Sequence, residues 1–444
     1  MLLPSVMTTD DSSELSEWLS FDHLYKQVIV PFFASLDDDR AFNASYALLD
    51  ALKAAFAIYS LKVPSLFQFR TMSQAEDHNL STVYQIGRIP SDNGLRKVLD
   101  GLDPAALRAG FAHLAQHVRT SGLFKRYVVW QDYVAVSVDG VEHFCSKKVS
   151  CPRCLERRHR DGSVSHYHAM LSAAMVKPGL AEVLPLDHEP IRQQDGEVKN
   201  DCERTAVHRL LANFETTHPD LATIFVLDAL YACAPVVERL AQNAPRWRYL
   251  IGVKDQGHAH LFAQFDELDS QHKIPWREWK QGREEYAVGY ANDLELNAAH
   301  AEVAVNMLYA IIRDAKGKET TFTFITNIEP SKDNVAQLLA VGRARWKIEN
   351  ETFNTLKNQG YHFEHNYGHG KENLCTVMAY VMMLAFWVDQ LQQAANRKFG
   401  ALLTKLKTRV KLWDAIRSVF RVNPVRSMDH IHDQLIDLYC VRLI

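Results

Sequence analysis

The chain has 444 residues, 47% of them hydrophobic and 23% charged, with a formal net charge of -3. These values exclude a disordered chain and a uniformly basic one, and the length allows two or three folded domains. Seven cysteines are too few for a disulfide scaffold, and no charged segment followed by an apolar one opens the chain, so we expect a reducing cytoplasm. The longest apolar run, 374–388, is shorter than the roughly 20 residues that cross a bilayer. We therefore expect it to be a buried helix, and we expect no membrane partner.

The first 125 residues show helical periodicity. Apolar residues recur at spacings of three and four over 42–57 and 106–118, and strand patterns are scarce. Ser91 and Asp103 stand where helix N-caps are expected, the second directly before a proline. This pattern predicts a separate all-α domain over residues 1–125.

A change to a period of two at Tyr133 marks the start of a sheet. Valines alternate with small residues up to Asp139 and Gly140, a turn pair, which predicts that the first strand ends on Asp139 and that a hairpin follows. With further strands at 141–144 and 167–176, the pattern predicts an antiparallel meander.

The next segment has the pattern helix, strand, helix, strand. Asn200 and Glu203 have the spacing of a capping box, which by itself explains both residues. The apolar run 223–227 ends on Asp228, as expected of a strand buried on both faces, and a further helix leads to a strand at 248–254. Three meandering strands followed by this βαβ unit have the order of a ribonuclease H-like α/β fold with a mixed sheet.

After residue 254 the pattern leaves this core. Alternating residues predict strands at 286–296, 303–314 and 320–326, and hence a mostly β insertion before the last helix of the fold. The predicted divisions are a helical domain (1–125), two parts of the ribonuclease H-like domain (126–256 and 336–393), the β insertion (257–335) and a basic helical C-terminal region (394–444).

The segment 345–359 carries apolar and charged residues, both at helical spacing. The predicted apolar stripe consists of Trp346, Phe353 and Leu356. The predicted charged row consists of Arg345, Glu349 and Lys357. One interpretation is a solvated face whose ion pair is worth about 0.3 to 0.5 kcal/mol. The other places a carboxylate metal ligand between cations that hold phosphates.

Two further acidic residues decide between these interpretations. In the predicted order, Asp139 leaves the central strand, Asp228 leaves its parallel neighbour, and Glu349 lies on a helix that can pack across the sheet. Singly, an Asp at a strand end is usually a turn residue. Together, three carboxylates can bind hard divalent ions, which take oxygen ligands and keep positions open for water and phosphate. The sequence therefore predicts a site for Mg²⁺ or Mn²⁺, with two ions expected.

With these residues in place, the chain resembles the DDE transposases of bacterial insertion sequences, in the group with a Tyr-Arg-Glu-Lys signature around the catalytic Glu. The resemblance spans residues 60–390 and is carried by the segments 89–92, 138–140, 199–203, 227–231, 324–327 and 345–350. It implies that Asp139, Asp228 and Glu349 are the catalytic, metal-binding triad, that Arg345 is the signature Arg, and that Lys357 is the signature Lys. The implied reaction is cleavage at transposon ends followed by strand transfer into target DNA, in a bacterial, nucleoid-associated setting.

The chain departs from this signature at two positions. Gly342 stands where the signature has Tyr, which leaves open whether a hairpin intermediate forms at the DNA end. Lys357 lies one residue further from Glu349 than the pattern expects, and Leu356 occupies the expected place.

Two basic clusters, within residues 147–160 and 397–426, predict contacts with double-stranded DNA. The expected DNA includes both transposon terminal inverted repeats and target DNA. Such contacts mostly neutralise phosphates, so affinity should fall steeply with salt. The N-terminal helical domain is a further candidate for DNA-end binding, and the joining of two ends predicts a homodimer on DNA. Besides Arg345 and Lys357, the residues expected to hold DNA phosphates are Lys147, Lys148, Arg157, Arg158, Lys405 and Arg409.

A cysteine pair and nearby histidines have partial zinc spacing, namely Cys151, Cys154, His166 and His168. Two interpretations stay open: a zinc knuckle that clamps the hairpin, or reduced cysteines and surface histidines on a DNA-facing loop. Three later histidines are interpreted as hydrogen-bond donors to DNA phosphates or to one another rather than as ligands; these are His362, His365 and His369.

The sequence thus predicts a Mg²⁺-dependent DNA transposase, an endonuclease and strand transferase that acts by cut-and-paste transposition. Two alternatives are a domesticated, catalytically silent DNA-binding protein and a ribonuclease H-like nuclease without strand transfer. The presence of all three acids argues against the silent protein, because loss of one acid is the simplest route to inactivity.

Overall fold

The structure is a computed structural model that describes residues 12–40, 44–192 and 202–443. Eleven strands in these residues form one mixed sheet. They are β1 (Val128–Trp130), β2 (Tyr133–Ser146), β3 (Leu155–Arg158), β4 (Val164–Val176), β5 (Leu184–Ile191), β6 (Thr223–Leu227), β7 (Trp247–Gly252), β8 (Trp276–Gln281), β9 (Glu284–Asn297), β10 (His300–Arg313) and β11 (Glu319–Thr326). Their order is β3-β4-β2-β6-β7-β11-β10-β9-β8, with β1 beside β2 and β5 beside β4.

The centre of this sheet has the predicted ribonuclease H-like order. β5, β4 and β2 are antiparallel neighbours, whereas β2, β6 and β7 run parallel. All five residues of β6 are buried, as the continuous apolar run predicted. The prediction of a mixed α/β fold is therefore confirmed.

The predicted turn at Asp139 and Gly140 is wrong. β2 continues through both residues to Ser146, and they pair with Ser172 and Leu171 of β4. Pairing along the whole of β4 outweighs the local turn preference of an Asp-Gly pair. The antiparallel meander is consequently β2, β4 and β5, and Asp139 lies inside a long strand rather than at its end.

The β insertion is confirmed, and it extends the central sheet. β11 pairs antiparallel with β7 through Phe324 and Gly252, and β10, β9 and β8 follow outward. Two elements of this region have no counterpart in the sequence prediction, the helix Ala259–Ser270 and the edge strand β8. The insertion and the ribonuclease H-like core therefore share one sheet.

Helices lie before, between and after the strands. The N-terminal helices are α1 (Ser12–Trp18), α2 (Phe21–Leu24), α3 (Val30–Ala34), α4 (Leu48–Ser60), α5 (Leu66–Ala75), α6 (Asp77–Tyr84), α7 (Asp92–Asp100) and α8 (Arg108–Thr120), with a π turn at Tyr25–Ile29 and 3-10 turns at Pro104–Leu107 and Leu123–Tyr127. The later helices are α9 (Glu203–Thr217), α10 (Ala234–Ala241), α11 (Ala259–Ser270), α12 (Val335–Arg343), α13 (Asn354–Asn358), α14 (Leu374–Ala395), α15 (Arg397–Leu406), α16 (Arg409–Val422) and α17 (Met428–Leu438).

The predicted N-caps of the N-terminal region are confirmed. Ser91 Oγ accepts a hydrogen bond from the Gly94 amide at 3.2 Å, and Asp103 Oδ1 accepts one from the Ala105 amide at 3.0 Å. Phe42, where a helix was expected to begin, lies outside the described residues, and α4 begins at residue 48.

Helix α14 joins the helical region to the sheet. It is 22 residues long and the one helix in the described ranges that is long and apolar enough to cross a membrane, but its apolar window is almost wholly buried in the protein, as in a core helix. Phe111 of α8 stacks on its Trp387, with ring centroids 6.0 Å apart. A single apolar core runs from the N-terminal helices through α14 to the sheet.

The predicted helix over 345–359 is present, with a π turn at its centre. After α12 and a tight turn, the chain forms a π turn at Ile348–Phe353 that continues into α13. Phe353 and Leu356 are buried as expected, but Trp346 is 45% exposed and so is not part of the apolar stripe.

Candidate active site

Asp139 and Asp228 lie on neighbouring parallel strands in matching positions. The last register pair of β2 and β6 is Ser137 with Val226. Each Asp follows its strand's member of that pair by two residues, so the two side chains project to the same face of the sheet. Asp228 remains in extended backbone and caps a 3-10 turn, its Oδ1 accepting a hydrogen bond from the Leu230 amide at 2.8 Å.

The helix that carries Glu349 is attached to β2 at the same place. Ser137 Oγ donates a hydrogen bond to the carbonyl oxygen of Arg345 at 3.2 Å, and Arg345 Nη1 lies 3.1 Å from Asp139 Oδ2. Glu349 follows Arg345 by four residues, within the π turn. Asp139 and Asp228 are half-buried and Glu349 is exposed, so the site opens to solvent.

The charges of the other two acids act on Asp139. Burial raises the pKa of the Asp139 carboxyl. The Arg345 guanidinium and the Gly140 amide act against this rise, whereas the negative charges of Asp228 and Glu349 add to the raised pKa. The carboxylate oxygens of Asp139, Asp228 and Glu349 do not all lie within 4.8 Å of one another. They are therefore spaced more widely than the ligand atoms of a single bound ion.

Glu203 is a fourth acid beside this group, and sequence reasoning missed it. Helix α9 begins at Glu203, which places this residue in the first position of the helix rather than in the third, as a capping box requires. Asn200, the proposed partner in that box, lies outside the described residues. Tyr231 donates a hydrogen bond to Glu203 Oε2 at 3.1 Å.

The surroundings of Glu203 connect it to Asp139 and Asp228. Burial raises the pKa of its carboxyl, and the charges of Asp139 and Asp228 add to that rise. A Cβ atom at Gly140 would collide with the Glu203 carboxylate, so the glycine provides space for this side chain rather than a turn. A glycine within a strand can mark the close approach of another group. Gly140 is therefore the feature of the sequence that could have indicated a side chain packed against β2.

A comparison with protein families covers part of this group of acids. A family model for the transposase DDE domain matches residues 181–387. This match assigns residues 181–387 to the DDE domain of transposases. The matched segment contains Asp228 and Glu349 and begins after Asp139.

Two further comparisons complete this result. No curated protein matches the chain. Among solved structures, the chain is similar to the piggyBac transposase in a cryo-EM structure of its synaptic complex with hairpin DNA, with a TM-score of 0.38 and 9% identity over 97% of this chain and 80% of that chain. That similarity is too distant to add to the argument.

The π turn of the DDE domain explains the displaced lysine. A π turn closes its hydrogen bonds from i to i+5, so it holds one residue more than an α turn. In an α-helix, a step of seven residues completes about two turns. Because the π turn adds one residue, the eight-residue step from Glu349 to Lys357 also completes about two turns. Leu356, at the expected signature position, is fully buried, whereas Lys357 lies partly exposed and pairs with Glu364 at 2.8 Å.

Gly342 has no room for the signature Tyr. A Cβ atom at this position would lie 2.8 Å from the ring of Phe324 on β11. The close approach of α12 to the strand that joins the insertion to the core therefore requires a small residue here.

The predicted phosphate-binding residues fall into two groups. Lys147, Lys148, Arg158 and Lys405 are exposed. Arg157 pairs with Glu142 and stacks on Tyr167, and Arg409 donates to Gln393 at 3.0 Å and to Gln359 at 2.8 Å. Arg409 therefore joins protein elements to one another, and the exposed lysines remain the better candidates for contact with DNA.

The predicted zinc residues are only partly brought together. Cys151, Cys154 and His168 converge, but the fourth member of their group is His369. His166 instead faces Glu156, 3.7 Å away. The interpretation of His369 as a DNA-facing donor is consequently wrong, since its side chain is 7% exposed and points into the cysteine pair.

Proposed function

We propose that the chain is a metal-dependent DNA transposase that cleaves DNA at transposon ends and joins the freed ends to target DNA. The observation that carries the proposal is the matching position of Asp139 on β2 and of Asp228 at the end of the parallel strand β6. The turn that leads into the Glu349 helix is hydrogen-bonded to β2 through Ser137 and Arg345. The match to a transposase DDE domain supports it. The acidic triad in this proposal is Asp139, Asp228 and Glu349.

The donor chemistry of the triad fits hard divalent cations. All ligands are carboxylate oxygens. Burial, with a smaller contribution from the charges of Asp228 and Glu349, raises the pKa of Asp139, and a bound cation would oppose both effects. Mg²⁺ or Mn²⁺, two ions in our proposal, would supply an activated nucleophile and stabilisation of the leaving oxygen. Asp139, Asp228 and Glu349 would hold these ions.

The chain's own residues then account for the rest of the reaction. Arg345, now paired with Asp139, is placed to hold the scissile phosphate, because a guanidinium binds phosphate oxygens in a fixed geometry. Lys357 would hold a second phosphate two helical turns away. Glu203 would act as a positioning residue, since its charge and its bond to Tyr231 fix the surroundings of Asp139 and Asp228.

DNA would lie across the face that carries these acids. A groove of about 520 Å³ runs from Gly140 past Glu203 and the exposed Leu230 to the hairpin of β2 and β4. The exposed Lys147 and Lys148 stand at the end of that hairpin. In our proposal two copies of the chain act together on DNA, because transposition joins two ends.

The test of this function is a cleavage and strand-transfer assay with the terminal inverted repeats that flank the gene. Asp139→Asn, Asp228→Asn and Glu349→Gln should each abolish cleavage while the protein still binds end DNA. The matched control is Asp132→Asn, which changes an exposed acid in the turn immediately before β2. Full cleavage by any triad variant would refute the assignment.

The same assay separates the alternatives. Cleaved ends that join a supercoiled target plasmid indicate a transposase, and cleavage without joining indicates a nuclease. Binding without any cleavage by the wild-type chain would indicate a silent DNA-binding protein.

A further inference from the structure

Four side chains away from the carboxylates form a compact set of metal-ligand atoms. Cys151 and Cys154 belong to the loop between β2 and β3, His168 lies on β4, and His369 lies between α13 and α14. One ligand atom from each residue lies within 4.8 Å of the other three. In the part of the chain that the structure describes, no other group of three or more His, Cys, Asp or Glu side chains does this.

The spacing of these atoms is that of a tetrahedral zinc site. Zn–S bonds of about 2.3 Å and Zn–N bonds of about 2.0–2.1 Å put two sulfur ligands about 3.8 Å apart and a sulfur and a nitrogen about 3.5 Å apart. The two Sγ atoms are 3.8 Å apart. His168 Nε2 lies 3.4 Å from each Sγ, and His369 Nε2 lies 3.4 Å from Cys154 Sγ.

Hydrogen bonding alone does not account for this convergence. Cys154 Sγ has three ligand atoms around it and also accepts a hydrogen bond from the Cys151 amide at 3.4 Å, whereas a thiol has a single proton to donate. An amide directed at sulfur stabilises a thiolate, and the thiolate is the form that binds a metal. Three of the four side chains, those of Cys154, His168 and His369, are buried, where a set of unmatched polar groups would be unfavourable.

We propose that Cys151, Cys154, His168 and His369 bind one structural zinc ion. A set of two thiolates and two imidazoles binds zinc in preference to Mg²⁺. Four protein ligands complete the tetrahedron and leave no position for water or substrate, so the site is structural and separate from the carboxylate site.

The proposed zinc ion would connect two distant parts of the DDE fold. The cysteine loop and β4 belong to the hairpin whose first strand carries Asp139, and His369 belongs to the segment that follows the Glu349 helix. The far end of that segment is already fixed, because Asp100 accepts hydrogen bonds from the amides of residues 371–374. Zinc would fix the middle of this segment, at His369, to the hairpin. It would thereby hold the strand of Asp139 and the helix of Glu349 in register.

The experiment is the zinc content of the purified full-length protein, measured by elemental mass spectrometry after dialysis. We expect one zinc ion per chain in the wild type and a loss of most of it in His369→Ala. Two histidine variants serve as matched controls that should keep the metal. The first is His365→Ala, because His365 lies in the same segment as His369 but is exposed. The second is His166→Ala, because His166 lies on β4 two residues from His168.

A second pair of measurements keeps the proposal testable if His369→Ala does not fold. His369→Cys offers a thiolate in place of the imidazole and should restore zinc binding. Chelation of the wild type should release zinc and lower its melting temperature. A wild-type protein without zinc, a Cys151–Cys154 disulfide, or equal zinc in His369→Ala and wild type would each overturn the proposal.

Discussion

The guanidinium of Arg345 lies 3.1 Å from a carboxylate oxygen of Asp139, although 206 residues separate them in the chain. This pair holds the turn that leads into the Glu349 helix against strand β2. It also lowers the pKa of a carboxyl that burial and two neighbouring acids raise. In the proposed reaction, Arg345 would favour the anionic form of Asp139 until DNA phosphate competes for the guanidinium.

The first prediction concerns this ion pair. Arg345→Ala removes a charge that lowers the pKa of Asp139, so the acid limb of the pH–rate profile for DNA cleavage should move to higher pH. Loss of a phosphate-holding cation should also lower the rate at the optimum by roughly 10²- to 10³-fold. Arg343→Ala is the control, because Arg343 lies 5.2 Å over the Phe322 ring and donates to Tyr286 instead. An unchanged acid limb in Arg345→Ala would show that the pair does not tune Asp139.

The second prediction follows from the raised pKa of Asp139. An acid whose pKa is higher in the folded than in the unfolded state favours folding below its unfolded pKa, and that contribution is lost as pH rises through its folded pKa. At neutral pH the charged Asp139 is therefore unfavourable for folding, and Asp139→Asn should melt no lower than wild type. Added Mg²⁺ should raise the melting temperature of wild type but not that of Asp139→Asn, because a ligand stabilises only the state that binds it. Equal shifts in both proteins would place the Mg²⁺ site elsewhere.

The third prediction concerns Glu203. Glu203→Gln removes a charge beside Asp139 and Asp228 and weakens the acceptor of the Tyr231 hydroxyl. Because Glu203 acts through its neighbours, cleavage should fall by about 10- to 100-fold, less than in the triad variants. Tyr231→Phe should reproduce part of this loss and shift the Mg²⁺ concentration required for half-maximal rate. A loss as complete as that of Asp228→Asn would instead make Glu203 a direct ligand.

The sequence predicted the central sheet because its signals are local. β6 and β7 are short apolar runs, and β9, β10 and β11 alternate clearly, so each strand was found within a few residues of its bounds. The Asp139-Gly140 pair shows where local signals fail. Its turn preference is real, but the pairing with β4 depends on residues about 30 positions away, and no short window of sequence contains them.

The candidate sites show the same limit. Glu203 was explained by a helix cap, and only the folded chain places it against Gly140 and the acids. His369 was interpreted as a hydrogen-bond donor because a carboxylate site does not need it, whereas His166 was included among the zinc candidates because it follows the cysteine pair closely in sequence. The π turn that moves Lys357 by one position leaves no mark in the charge pattern except that displacement.

The fourth prediction tests whether Lys357 holds a phosphate. Lys357→Ala should weaken binding of end DNA and reduce the slope of log affinity against log salt by about one. Lys316→Ala, which changes an exposed lysine in the turn between β10 and β11, should leave that slope unchanged. An unaltered slope in Lys357→Ala would mean that its pairing with Glu364 is its whole role.

The fifth prediction concerns the buried ion pair that joins the N-terminal region to helix α14. Lys62 and Asp389 form a salt bridge, both side chains are almost fully buried, and the Tyr361 hydroxyl donates to the same Asp389 oxygen at 2.5 Å. Lys62→Met leaves the Asp389 charge without its cation, which should lower the free energy of unfolding by about 3 to 5 kcal/mol. Urea unfolding of the full chain measures this change.

A surface pair provides the comparison for that measurement. Lys398 pairs with Asp429 at 2.7 Å and with Asp433 at 2.5 Å on the C-terminal helices, with its side chain 26% exposed. Lys398→Met should cost only about 0 to 1 kcal/mol, because solvent screens exposed pairs. The double variant Lys62→Met with Asp389→Leu should recover much of the loss of Lys62→Met, since it removes the unpaired charge as well. If Lys62→Met were no more harmful than Lys398→Met, the contact between the N-terminal helices and α14 would not depend on this pair, and their shared apolar core alone would hold them together.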